Sequence, residues 1–93
     1  MVLRYKPKFT RDIGKIRDKE VTKALALTMY NIRNSRIVSD IYNIKKLDEY
    51  SVHYRIKIKL DKEKDYRVGI IIRKNTVWLM RFLHRDKIYK EFP

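Results

Sequence analysis

The sequence predicts an α+β domain: an N-terminal strand, a helical hairpin, then a three-stranded antiparallel meander, forming one sheet with the helices on one face. Three observations predict it. Residues 20–33 carry apolar side chains at helical spacing. Residues 52–61 alternate strictly between apolar and polar, and residues 66–73 and 76–83 are apolar runs split by Lys74-Asn75. With 93 residues, 44% of them hydrophobic, the chain can bury one modest core, so residues 1–93 should form a single domain.

Residues 2–6 alternate well enough for a short strand ended by Pro7. Thr10 can cap a short helix, because Phe9, Ile13 and Ile16 fall at i, i+4 and i+7. Gly14, inside that helix, should weaken it by about 1 kcal/mol relative to Ala. In the longer helix Val21, Leu25, Met29 and Ile32 form one stripe, widened by Ala24 and Ala26, and Asn34-Ser35 ends it. Residues 37–47 are ambiguous. Ile37, Ile41, Ile44 and Leu47 have near-helical spacing, yet Ser39-Asp40 and Asn43 signal a turn. A loop with one helical turn and an extended entry is expected there.

In the meander Val52, Tyr54, Ile56, Ile58 and Leu60 point to one side, and His53, Arg55, Lys57, Lys59 and Asp61 to the other. Residues 61–65 read as a charged hairpin loop whose lysines offset Asp61, Glu63 and Asp65, so no carboxylate cluster is placed to hold Mg²⁺. Asn75 is expected to take the positive φ of the next hairpin. The strands it joins are apolar on both faces and should be central. The tail, residues 84–93, should fold as a short turn over the sheet.

Charge narrows the function. The chain has 24 Lys and Arg against 11 Asp and Glu, a formal +13, so its partner should be an anion, most commonly nucleic acid. The absence of cysteine excludes disulfides, thiolate catalysis and sulfur-ligated zinc. The longest aliphatic run, residues 68–72, is too short to span a bilayer, and the start carries no secretory signal. A cytoplasmic protein with no membrane partner is expected.

The informative constellation is Arg55, Lys57 and Lys59 on one strand face, Arg67 beside Gly69 on the next strand, and His84, Arg85 and Tyr89 in the tail. A row of cations on an edge strand is also what solvation alone produces. Convergence on the hollow left by Gly69 would instead suit a phosphodiester. Guanidinium forks hold phosphate, a group titrating near neutrality moves a proton, and an aromatic ring stacks on an unpaired base. No cofactor or metal is called for. His53 has no catalytic neighbour in sequence. Trp78 and the tyrosines Tyr5, Tyr30, Tyr42, Tyr50, Tyr54 and Tyr66 read most simply as packing and rim residues. Lys6, Lys8, Lys15, Lys19 and Lys23 either solvate the helical face or dock on RNA backbone.

From Tyr54 onward, Tyr-Arg-Ile-Lys-Ile, Asp-Tyr-Arg-Val-Gly-Ile and Phe-Leu-His-Arg-Asp-Lys-Ile-Tyr-Lys-Glu-Phe-Pro resemble the RelE/ParE superfamily of type II toxin–antitoxin toxins, in the RelE-like branch. Phe9-Thr-Arg-Asp and Lys45-Lys46-Leu47 extend the resemblance to nearly the whole chain. It implies a β-α-α-β-β-β fold and a ribosome-dependent mRNA endonuclease that uses the RNA's 2′-hydroxyl as nucleophile and no metal. Carried over residue by residue, Lys57 would be the base or electrostatic activator, and Arg55 and Arg67 would clamp the phosphate. His84 would be the acid for the 5′-oxygen, with Arg85 as substitute if His84 points away. Tyr89 would stack on or orient the flanking base, and Lys59 would add to RNA binding. The histidine at the rim and the long charged loop depart from the RelE pattern and leave the proton donor open. The partners implied are a cognate antitoxin, the ribosome and mRNA, with the free toxin monomeric. The alternatives are a gyrase inhibitor of the ParE type and a noncatalytic RNA-binding or co-repressor module.

Overall fold

The computed structural model describes residues 1–49 and 51–93, so Tyr50 lies outside the described residues. β1 (Val2–Tyr5) leads into α1 (Pro7–Gly14) and α2 (Lys19–Asn34). A single 3-10 turn, Val38–Asp40, and a short strand β2 (Ile44–Lys46) follow. The chain then runs through β3 (His53–Lys59), β4 (Asp65–Arg73), β5 (Thr76–His84) and α3 (Arg85–Glu91). One sheet results, in the order β1-β5-β4-β3-β2, antiparallel except for the parallel pair β1 and β5.

Helix starts differ from the sequence expectation for local reasons. Pro7, not a cap at Thr10, opens α1, because its ring presets helical φ at the first position, where the missing N–H costs nothing. Gly14 closes that helix instead of interrupting it. Asp18 caps α2 by accepting from the backbone N–H groups of Glu20 (2.9 Å) and Val21 (3.3 Å). The Lys64 ammonium reaches the same carboxylate at 2.9 Å and ties the β3–β4 loop to the helix start. In α2 Val21, Leu25 and Ile32 are buried, whereas Ala26 faces out. The positive φ of the β4–β5 hairpin falls on Lys74 (56°), not Asn75.

The core forms where α1 and α2 meet one sheet face. Phe9, Ile32, Val68, Ile70, Val77 and Leu79 are wholly shielded from solvent, each such side chain stabilising the fold by about 1.5–3 kcal/mol. A β-bulge interrupts β5. Gly69 pairs with Arg81 and Ile70 with Leu79, so Met80 is the extra residue. Val77 and Leu79 face the core before the bulge, and Phe82 faces it after. The bulge therefore shifts the inward positions from odd to even numbers.

Asp12 of α1 secures this irregularity. Its buried carboxylate accepts from Arg81 at Nε (2.8 Å) and Nη2 (3.1 Å) and from the Phe82 backbone N–H (2.9 Å). The expected helical hairpin thus lies on one face, while the tail forms a third helix on the opposite face. Ile88 and Phe92 anchor it there, both buried apart from the main core.

Candidate active site

Strand alternation sends Arg55 and Lys57 away from the helical hairpin, and the ladder sets Lys57 opposite Arg67 and Arg55 opposite Gly69. α3 lies on this same face and brings Tyr89 to it. Arg55, Lys57, Arg67 and Tyr89 line one cleft of about 320 Å³ with Asn43, Lys45 and Leu47. Lys45 is a further cation that sequence reasoning did not place in the site. β2 is only three residues long, but its pairing of Lys45 with Arg55 aims both the same way.

The hollow over Gly69 exists and is occupied by the protein itself. A Cβ built on Gly69 would lie 2.7 Å from the Phe92 ring, so only glycine permits this approach. The tail is fastened further by Arg55, whose Nη2 donates to the Phe92 carbonyl at 2.6 Å and whose guanidinium stacks on Tyr89, 4.6 Å from the ring centroid. Arg55 Nε is buried without a hydrogen-bond partner. Gly69→Ala is expected to destabilise the fold by about 1–3 kcal/mol and to release Phe92. Chemical denaturation and the exchange rate of the Phe92 amide measure both effects.

Arg67 has a partner of its own. Asp65, buried at the start of β4, forms an ion pair with Arg67 two residues on, instead of sitting in a self-neutralised loop. Burial pushes the Asp65 carboxyl up, but hydrogen bonding to Arg67 and the charges of Arg67, Lys59 and Lys57 outweigh it and hold the group below its usual value.

Arg85 and Tyr89 are four residues apart on α3 and share a helix face. Burial raises the Tyr89 phenol, but hydrogen bonding and charge from Arg85 and Arg67 prevail and lower it below the ordinary tyrosine range. Tyrosinate absorbance should therefore show a phenol ionising below the ordinary tyrosine range as pH rises, and Tyr89→Phe should remove that step. A depressed folded value means this linkage stabilises the fold fully above the unfolded pKa and fades as pH falls through the folded one.

His84 does not join the cleft. It pairs with Tyr66, which packs on the core side of the sheet, and the two rings meet edge-on at 5.6 Å. Its Nε2 lies 2.9 Å from the Glu63 carbonyl, and its Nδ1 accepts from the Asp86 N–H, capping α3. The β5 bulge is the cause, since unbroken alternation from Val77 and Leu79 would have turned His84 to the Arg67 side. Lys59 shares the face of Lys57 but is exposed, beyond the cleft and opposite Asp65. Among the described residues no cluster of three or more His, Cys, Asp or Glu is arranged to hold a metal ion, and no helix is long and apolar enough to cross a membrane.

The five-stranded sheet with a helical hairpin on one face and a C-terminal helix on the other matches the RelE fold. The chain is 31% identical over 86 residues to Toxin RelE3 of Methanocaldococcus jannaschii, covering 91% of each. It superposes with a TM-score of 0.74, at 28% identity, on a chain of the RelB–RelE antitoxin–toxin complex from Methanococcus jannaschii, covering 96% of this chain and 98% of that one. YafQ from E. coli strain BL21(DE3) shares the fold at 13% identity, TM-score 0.61, over 94% of this chain and 96% of its own. No family model matches the sequence. The chain belongs to the RelE toxin family.

Proposed function

We propose that this protein is the toxin of a toxin–antitoxin pair and that it cleaves mRNA on the ribosome by attack of the RNA's own 2′-hydroxyl. The observation that carries the reading is the meeting of Lys57, Arg67 and Tyr89 in one cleft, at the small end of ligand-pocket volumes. Arg67 grips the scissile phosphate and stabilises charge gathering on its oxygens. Lys57, opposite it across the ladder, stabilises the negative charge that develops on the 2′-oxygen as its proton passes to water. Arg85 takes the place considered for His84, stabilising charge on the leaving 5′-oxygen from the rim until that oxygen takes a proton from water, and Tyr89 orients the flanking base. Arg55 serves mainly to hold the tail that carries Tyr89. A related chain is solved as the toxin of a RelB–RelE antitoxin–toxin complex, and an antitoxin for this +13 chain must cover strongly positive charge, which calls for an acidic, amphipathic segment.

The test is incubation of purified protein with ribosomes programmed with a defined mRNA. Cutting within the A-site codon, leaving a 2′,3′-cyclic phosphate or 3′-phosphate, supports the proposal. Intact mRNA together with inhibited DNA supercoiling would replace it with the gyrase reading. Intact mRNA with normal supercoiling would leave a noncatalytic binding module.

A further inference from the structure

Asp65 is a buried carboxylate within the basic site of a +13 chain, only 4% exposed. Pure electrostatics argues against it, because an anion beside a phosphate site repels the ligand. Its geometry supplies the reason for its presence. Arg67 Nη1 bonds to Asp65 Oδ1 and also donates to the Tyr66 carbonyl at 3.1 Å. Both hydrogens of Nη1 are thereby engaged, leaving Nε and Nη2 as the edge that can fork onto a phosphate. Arg55, the other arginine lining the cleft, has one nitrogen on the Phe92 carbonyl and its face on Tyr89. Arg67 is thus held from behind by an acid and Arg55 by the tail.

We propose that Asp65 is the positioning residue of the site, holding the Arg67 guanidinium in the one orientation that presents its Nε–Nη2 edge to the phosphate in the cleft. The proposal rests on the phosphodiester reading above and adds a residue that acts through Arg67 without touching RNA. Lys57 and Lys59 also face Asp65, and they keep it charged when RNA is absent.

The experiment uses the full chain and the variants Asp65→Asn and Asp65→Glu. On programmed ribosomes Asp65→Asn should lower kcat by about 100-fold while KM stays level or falls, because the site has lost a negative charge. Asp65→Glu should recover part of the rate, and in an Arg67→Ala background Asp65→Asn should change nothing further. Wild-type kcat in Asp65→Asn, or an equal loss in both backgrounds, overturns the proposal. A second readout does not need cleavage. Nitrogen-15 NMR of the Arg67 guanidinium should resolve separate Nη signals in the wild type, and these should average together in Asp65→Asn. Inorganic phosphate should shift Arg67 Nε in the wild type more than in the variant. Identical spectra in the two proteins overturn the role of Asp65 even if the wild type leaves mRNA intact. Intact mRNA with the expected spectra overturns only the nuclease reading.

Discussion

Under the proposed function, Arg67→Ala is expected to slow mRNA cleavage by about 100- to 1,000-fold and to leave growth unimpaired on induction where the wild type arrests it. Arg67 engages Asp65 and the Tyr66 carbonyl through Nη1, which leaves Nε and Nη2 as the pair of donors that can fork onto a phosphate beside the Tyr89 phenol. Arg67→Lys should restore little of the rate. An ammonium keeps the charge but presents no planar pair of donors, and it cannot satisfy Asp65 and a phosphate in the same geometry. End-point mapping of mRNA from programmed ribosomes, beside thermal unfolding of each variant, separates lost chemistry from lost fold. A rate in Arg67→Lys close to wild type would mean that charge alone suffices.

The largest effect on stability is expected at Asp12, far from the cleft in sequence and in chemistry. Asp12→Ala should cost about 3–5 kcal/mol. It removes both bonds to Arg81 and the acceptor of the Phe82 N–H, leaving a half-buried guanidinium with only Glu91, 3.5 Å away. Asp12→Asn keeps one acceptor and should cost less. Denaturant unfolding gives the values directly. The variant should also loosen the β5 bulge, so amide exchange should rise at Phe82 and Leu83, which lies opposite Arg67 in the ladder.

The same bulge marks the limit of what could be read from the chain. Period-two alternation over residues 52–61 placed Arg55 and Lys57 together on the face away from the helices, and they are there. Gly69 suggested a hollow, and the hollow exists, although an aromatic ring 23 residues further along the chain could not be assigned to it from local pattern. Phe92 fills it. His84 was misplaced because one extra residue, Met80, reverses the phase of β5 and no local signal announces it. Asp65 looked like one charge in a run of five; its burial depends on β4 beginning at that residue, and strand boundaries are weakly encoded. Lys45 escaped notice for a related reason, since a three-residue strand shows too little alternation to separate it from a loop. The parallel pairing of β1 with β5 joins the first strand to the last and leaves no trace in either segment.

A single substitution in the RNA tests the proposed chemistry most directly. Programmed ribosomes would carry an mRNA with a 2′-deoxynucleotide on the 5′ side of the cut and the ribonucleotide elsewhere. The proposed mechanism predicts that the all-ribose message is cut and that the deoxy-substituted one survives at that bond. Cleavage of both messages at equal rates would show that the nucleophile is not the RNA's own hydroxyl, and the roles given to Lys57, Arg67 and Arg85 would fall with it.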